Sequence, residues 1–80
     1  MSEMSKLRWR CRRGMKELDE LLTRYLEQHY AQACAEEQQL FQDLLEMQDP
    51  EIYAYMIGRE RPRDEAMHHL VQRIATVLRT

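Results

Sequence analysis

The residues best suited to chemistry lie near the start of the chain, in the stretch RWRCRRGMKELDELL at positions 8–22. Four arginines and a tryptophan precede Gly14, and an acidic amphipathic segment follows it. A cluster of guanidinium groups can hold a phosphate group or dock on an acidic protein surface. It can equally be a solvated helix end followed by a corner. The spacing of the residues leaves these three interpretations open.

The other reactive side chains do not form a catalytic or metal-binding pattern. No nucleophile is paired with a base, and the carboxylates are scattered along predicted solvent-facing helix surfaces. His68 and His69 are adjacent, so on a helix they diverge by about 100° and cannot share one ion with good geometry, and His29 stands alone. Cys11 and Cys34 lack CxxC spacing. The sequence therefore predicts no enzyme activity, no catalytic residue and no metal site.

Length and composition predict one small cytoplasmic domain, spanning residues 1–80. A chain of 80 residues cannot supply two cores, and 44% hydrophobic with 32% charged residues is typical of a helical globular protein. No run approaches the roughly 18 apolar residues of a membrane span, and no apolar block near the N-terminus suggests a signal peptide. Because cytoplasmic thiols stay reduced, Cys11 and Cys34 are expected to be free.

Charge is distributed unevenly along the chain. Residues 1–16 carry six cations against Glu3, which gives them a net charge of +5. Residues 17–51 carry a net charge of −9, and residues 52–80 carry +2. The N-terminal segment is therefore the basic part of a protein whose total charge is only −2.

Hydrophobic periodicity predicts helices throughout. Apolar residues recur at intervals of three and four, while sustained alternation and Asn-Gly or Asp-Gly hairpin pairs are absent from the sequence. The predicted helices span approximately residues 4–12, 15–30, 35–47, 50–57 and 64–79. The predicted fold class is all-α, a small five-helix bundle in which each apolar stripe is buried by its neighbours.

Boundary signals support these helices. Asp49 and Pro50 suit the N-cap and first position of the fourth helix, and Gly58 is expected to end it. Pro62 favours an extended loop before it, and Asp64 is expected to cap the fifth helix.

Gly14 has two interpretations. Glu17 follows it by three positions, which is the spacing of a capping box, so the pair could simply start the second helix. Alternatively, the missing side chain lets another protein approach the backbone, with Arg13 and Glu17 offering donors and an acceptor. The spacing alone favours the capping box and does not exclude a surface that another protein approaches.

A resemblance bears on this choice. The stretch WRCRRGMKELD at 9–19 contains an RGxxE signature in Arg13, Gly14 and Glu17, and FQDLLEMQDPEIYAYMIG follows at 41–58. In these motifs, their order and their spacing over about residues 7–78, the chain resembles the succinate dehydrogenase flavinylation factor family, whose mitochondrial form is called succinate dehydrogenase assembly factor 2.

The resemblance implies a five-helix assembly chaperone without catalytic activity. Members bind the flavoprotein subunit of succinate dehydrogenase, and in some bacteria that of fumarate reductase, and promote covalent attachment of FAD to a histidine there. By this resemblance, the chain contacts its partner through an RGxxE surface. We expect it to hold no cofactor stably and to be a monomer when free. The implied partner-binding residues are Arg13, Gly14 and Glu17, with Arg12, Lys16 and Asp19 as neighbours.

The chain departs from the family pattern in two places. Tyr55 stands where the fourth helix commonly has Trp, and Cys34 replaces a Ser that often caps the third helix. Because Cys is a weak N-cap, the start of the third helix is expected to fray. Trp9 and Tyr53 are expected to anchor their helices to the core.

The main rival function is that of a small nucleic-acid-binding or antitoxin-type regulatory protein. A Lys/Arg cluster beside an aromatic residue is typical of nucleic-acid binding. However, the acidic central segment would repel phosphate, so no nucleic-acid partner is expected. Direct carriage of FAD is disfavoured as well, because the sequence has no GxGxxG motif to hold a pyrophosphate.

Overall fold

Five α-helices and one short 3₁₀ turn account for most of the computed structural model, which describes residues 2–76. The helices are α1 (Glu3–Arg10), α2 (Lys16–Gln28), α3 (Ala35–Leu45), α4 (Asp49–Met56) and α5 (Glu65–Ala75), and the 3₁₀ turn is Tyr30–Gln32. The described residues contain no strand, which confirms the all-α prediction. Residues 77–79 of the predicted last helix lie outside the described range.

The helix ends follow from local capping chemistry. The Asp64 carboxylate accepts a hydrogen bond from the Met67 N–H at 3.3 Å, which confirms it as the cap of α5. Gly58 follows α4 with φ +79°, a left-handed conformation that suits glycine and ends the helix. Cys34 precedes α3 without a side-chain cap bond.

Most predicted helix boundaries are off by one or two residues, and two of these shifts have a local cause. The N-cap of α4 is Gln48 rather than Asp49, because the Asp49 carboxylate is engaged by Arg13. The second helix ends at Gln28, and the chain tightens into the 3₁₀ turn because His29 leaves the helical region with φ −127°. This turn buries Tyr30.

The core lies between α2, α3 and α5. Buried side chains project from one face of each helix, namely Leu18, Leu22, Tyr25 and Leu26 of α2, Phe41, Leu44 and Leu45 of α3, and Leu70, Val71 and Ile74 of α5. The rings of Tyr25 and Phe41 pack with their centroids 4.8 Å apart. Each such side chain contributes about 1.5–3 kcal/mol by leaving water, so this cluster holds the short helices together.

A polar clamp joins the same three helices. Arg73 of α5 donates to both carboxylate oxygens of Glu37 at 2.8 and 3.0 Å, and the Tyr25 hydroxyl donates to the same carboxylate. Burial of Tyr25 raises its pKa above the ordinary value, and the hydrogen bond to Glu37 raises it further. The clamp therefore fixes the orientation of α3 against α2 and α5.

The expectation that Trp9 anchors α1 to the core is wrong, because its side chain is 69% exposed. Leu7 and Cys11 are buried instead, four positions apart on one face. Trp9 lies two residues from Leu7, about 200° around the helix, and therefore points away from the core. Tyr53 behaves as expected, since it is half-buried and packs against the core.

The two cysteines are both free thiols in contrasting surroundings. Cys11 is fully buried, whereas Cys34 is exposed. Burial raises the pKa of Cys11 to about 11 from an ordinary value of 9.0, although nearby arginines oppose the shift. The Cys11 thiol therefore remains protonated at neutral and mildly alkaline pH.

Alkylation will distinguish the two thiols. At pH 8, iodoacetamide will modify Cys34 quickly and Cys11 only after unfolding, because Cys11 lacks both access and thiolate character. Intact-mass measurements over time, with a sample in urea as the control, will show one adduct in the folded protein and two in the unfolded one. Rapid addition of two adducts to the folded protein would contradict this.

Candidate functional site

The connection between α1 and α2, residues 11–15, forms a tight corner that we call the corner loop. Gly14 lies at its exposed tip with φ +89°, in the left-handed region that other residues rarely adopt. A Cβ built on Gly14 would meet no heavy atom within 4 Å beyond its chain neighbours. The glycine is therefore required by the backbone conformation, while the space outside it is open to another molecule.

Arg13 fastens this loop to the turn between α3 and α4. Its Nη1 donates to the Leu45 carbonyl at 2.9 Å, its Nη2 donates to the Met47 carbonyl, and its Nε pairs with Asp49 Oδ1. The Arg13 side chain is only 14% exposed. Because the last carbonyls of a helix lack partners within it, the guanidinium satisfies the end of α3 while it fixes the loop.

Asp19 holds the other side of the corner loop. Its Oδ1 accepts a hydrogen bond from the Arg13 N–H at 2.6 Å. Arg13 is therefore bound through its backbone to α2 and through its side chain to the α3–α4 turn. The loop is held in one shape before any partner arrives.

The prediction of a capping box between Gly14 and Glu17 is wrong. The N-cap of α2 is Met15, with an extended backbone and no side-chain cap bond. Glu17 is consequently the second residue of the helix rather than the third, and its side chain is exposed. The carboxylate that bonds to the loop backbone is that of Asp19, and it accepts from the Arg13 N–H rather than the Gly14 N–H.

Two cations flank Gly14. Arg12 and Lys16 are both exposed, and neither forms an ion pair with any residue in the range 2–76. Together with Asp19 they line an open groove of about 710 Å³ beside α1 and α2. Their charges are therefore available to a partner that approaches the corner loop.

The six sequence-predicted site residues meet around one corner but divide into two groups. Gly14, Glu17, Arg12 and Lys16 are exposed, whereas Arg13 and Asp19 are partly buried and bonded within the chain. Sequence reasoning missed Asp49 as a member of this site. Its position beside Pro50 indicated a helix cap, and no local pattern indicated that it pairs with Arg13.

The histidines form no comparable site. His68 and His69 have ring centroids 6.2 Å apart on α5, and within the described range no group of three or more His, Cys, Asp or Glu could hold a metal ion. In the same range, no helix is long and apolar enough to cross a membrane. The corner loop is the best candidate for function because the predicted site residues meet around it.

Comparison with known proteins identifies the family. A family model described as the flavinator of succinate dehydrogenase matches residues 5–78. The chain is 37% identical to the FAD assembly factor SdhE of Methylococcus capsulatus over 98% of its own length and 94% of that protein. It is 36% identical to the same factor from Coxiella burnetii, covering 86% and 84% of the two chains, and 40% identical to that from Xylella fastidiosa, covering 88% and 72%.

These relatives are described as assembly factors, which agrees with the prediction that the chain is not an enzyme. The match extends over all five helices and includes the corner loop. It confirms the resemblance inferred from the WRCRRGMKELD and FQDLLEMQDPEIYAYMIG stretches. The chain belongs to the family of succinate dehydrogenase flavinators, the SdhE-type FAD assembly factors.

Proposed function

We propose that this chain binds the flavoprotein subunit of succinate dehydrogenase through the corner loop and promotes covalent attachment of FAD to a histidine of that subunit. The observation that carries the proposal is Gly14, an exposed left-handed glycine in a loop that Arg13 and Asp19 hold rigid. Family membership supplies the client class. The flavoprotein subunit of fumarate reductase, which the resemblance suggests, is proposed as a second client.

The corner loop is suited to docking because it is organised in advance. A loop that is already ordered does not lose conformational entropy on binding, so more of the contact energy appears as affinity. The bare Gly14 backbone lets the client approach closely, while Arg12, Lys16 and Glu17 offer charges around it. Arg13 and Asp19 contribute as positioning residues, because their polar groups are bonded within the chain.

The chain would act on the client by selecting one of its conformations. Covalent attachment requires a client histidine nitrogen aligned with the flavin methyl carbon, and a mobile flavoprotein reaches that alignment rarely. Binding the aligned arrangement about 2.7 kcal/mol more tightly than the others would raise its population about a hundredfold. The assembly factor would hold no FAD of its own and would be a monomer when free.

The direct test is reconstitution. Purified flavoprotein subunit lacking covalent flavin is mixed with FAD, with and without this chain, and covalent flavin is measured by fluorescence of the denatured subunit in a gel. We expect faster attachment and a complex in size-exclusion chromatography when the chain is present. Equal rates with and without it would refute the proposal.

Charge reversal beside Gly14 will weaken the complex. Arg12→Glu and Lys16→Glu should each raise the Kd for the flavoprotein subunit about tenfold, because each replaces an exposed cation by a repelling charge. Titration calorimetry at two salt concentrations measures the change. Arg63→Glu, an equally exposed reversal in the loop before α5, is the control, and equal losses in all three variants would argue against a site at the corner loop.

The exposure of Trp9 favours a second candidate function, binding of nucleic acid. An exposed tryptophan beside arginines could stack on a base. However, Arg10 donates to Glu46 at 2.8 Å and Arg8 lies 3.9 Å from Glu27, so acids already face part of the basic strip. A salt-sensitive shift of labelled duplex DNA at physiological ionic strength would support this alternative.

A further inference from the structure

A second groove lies on the other side of α2, where this helix meets α4 and α5 rather than α1. Five apolar residues of α2, α4 and α5 and of the turn after α4 line it, namely Leu21, Tyr53, Met56, Ile57 and Ala75. Its volume is about 320 Å³. We call it the Ile57 groove.

Ile57 makes this groove unusual on the surface of the protein. Its side chain is 50% exposed, and among the described residues Trp9 is the only other large hydrophobic side chain that is at least half exposed. It stands directly after α4, where the chain turns toward Gly58. A half-exposed aliphatic side chain beside an apolar groove adds to the apolar area that a partner could bury there.

The rim of the groove is acidic. Glu17 and Glu20 lie three residues apart on α2 and both line it, so their carboxylates are neighbours on one face of the helix. Glu17 forms no ion pair with the residues that the structure describes, and the Glu20 contact to Arg24 is an exposed pair at 3.6 Å. Such a pair is weak, so both carboxylates remain available to a cation from another molecule.

Glu17 also joins the groove to the corner loop, because it belongs to the RGxxE signature and lines the groove. The exposed surface therefore runs from a basic area at Arg12 and Lys16, across Gly14, to an acidic and apolar area at Glu17 and Ile57. A client docked on Gly14 meets both areas.

We propose that the Ile57 groove receives one apolar side chain of the flavoprotein client, with an adjacent Lys or Arg of the same client segment bound by Glu17 and Glu20. The proposal rests on the proposed function, which it deepens by stating the chemistry of the client segment. Apolar burial in the groove supplies affinity, and the acidic rim selects a cationic neighbour. The opposite charges at the two ends of the surface fix the orientation of the client.

The test is binding of the flavoprotein subunit to groove variants. Ile57→Asp should raise the Kd about tenfold or more, and Glu20→Lys about three- to tenfold. Ile57→Leu should bind as the wild type does. Asp43→Lys is the control, because Asp43 is an exposed acid of α3 that lines neither the Ile57 groove nor the groove beside the corner loop.

Two further measurements make the outcome decisive. Circular dichroism should show unchanged helix content in every variant, since Ile57 lies outside the helices and Glu20 is exposed.

If the wild type binds and Ile57→Asp and Glu20→Lys bind equally well, the groove proposal is overturned while the proposed function stands. If the wild type does not bind the subunit, both are overturned. Sedimentation showing that Ile57→Asp only abolishes a dimer of this chain would assign the groove to self-association and overturn the proposal.

Discussion

Replacing Arg13 by lysine will lower the free energy of unfolding by about 2–4 kcal/mol, because the ammonium group cannot reach the acceptors that the guanidinium joins. Arg13 donates to the Leu45 and Met47 carbonyls and pairs with Asp49, and its side chain is only 14% exposed. Lysine carries the same charge but concentrates its donors at one point. At least one partly buried carbonyl will therefore lose its partner.

Urea denaturation followed by circular dichroism measures this loss, and Arg12→Lys is the matched control. Arg12 is the preceding residue and is exposed, so the same substitution there should change stability by less than about 0.5 kcal/mol. Equal stabilities of the two variants would show that the Arg13 contacts do not hold the loop. A double-mutant cycle with Asp49→Asn isolates the ion pair from the carbonyl contacts.

Replacing Gly14 by arginine will reduce client flavin attachment about a hundredfold at limiting concentrations, equivalent to losing about 2.7 kcal/mol of docking energy. The new side chain would occupy the open space through which the client approaches the backbone. The protein itself will remain folded, since no other part of the chain lies within 4 Å of the added Cβ. The left-handed φ of +89° should cost about 1–2 kcal/mol of stability.

Gly14→Ala separates backbone strain from loss of docking. Both variants place a Cβ on a backbone with φ +89°, so they should lose similar stability, whereas alanine leaves the space outside the loop largely open. Gly14→Arg should lose most of the flavin attachment and Gly14→Ala much less, measured by fluorescence of the denatured subunit. If Gly14→Arg supports attachment at the wild-type rate, the corner loop is not the docking site.

The sequence predicts the helical fold because its signals are local. Apolar spacing, the cap at Asp64 and the stop at Gly58 each depend on a few neighbouring residues, and the structure confirms them. Trp9 shows the limit of such reasoning. A helix of eight residues has one narrow buried face, and whether Leu7 or Trp9 occupies it depends on how α1 is rotated against α2.

The candidate site could be located from the sequence but not resolved into roles. The RGxxE signature places Arg13, Gly14 and Glu17 together, and a shift of one residue in the start of α2 decides that Glu17 faces solvent. The partner of Arg13 is Asp49, which is far along the chain. No local spacing predicts a contact between segments so far apart in the sequence. The function of Arg13 as a positioning residue is therefore visible only in the fold.

Because Arg13 binds the α3–α4 turn, flavin attachment can be lost through changes outside the corner loop. The shape of the corner loop depends in part on residues 45–49, which lie outside the signature and beneath the docking surface. A selection for loss of flavin attachment would therefore return changes in two separate stretches of the chain. Changes in residues 45–49 would act by releasing the corner loop. A compensating change within the loop could then restore flavin attachment.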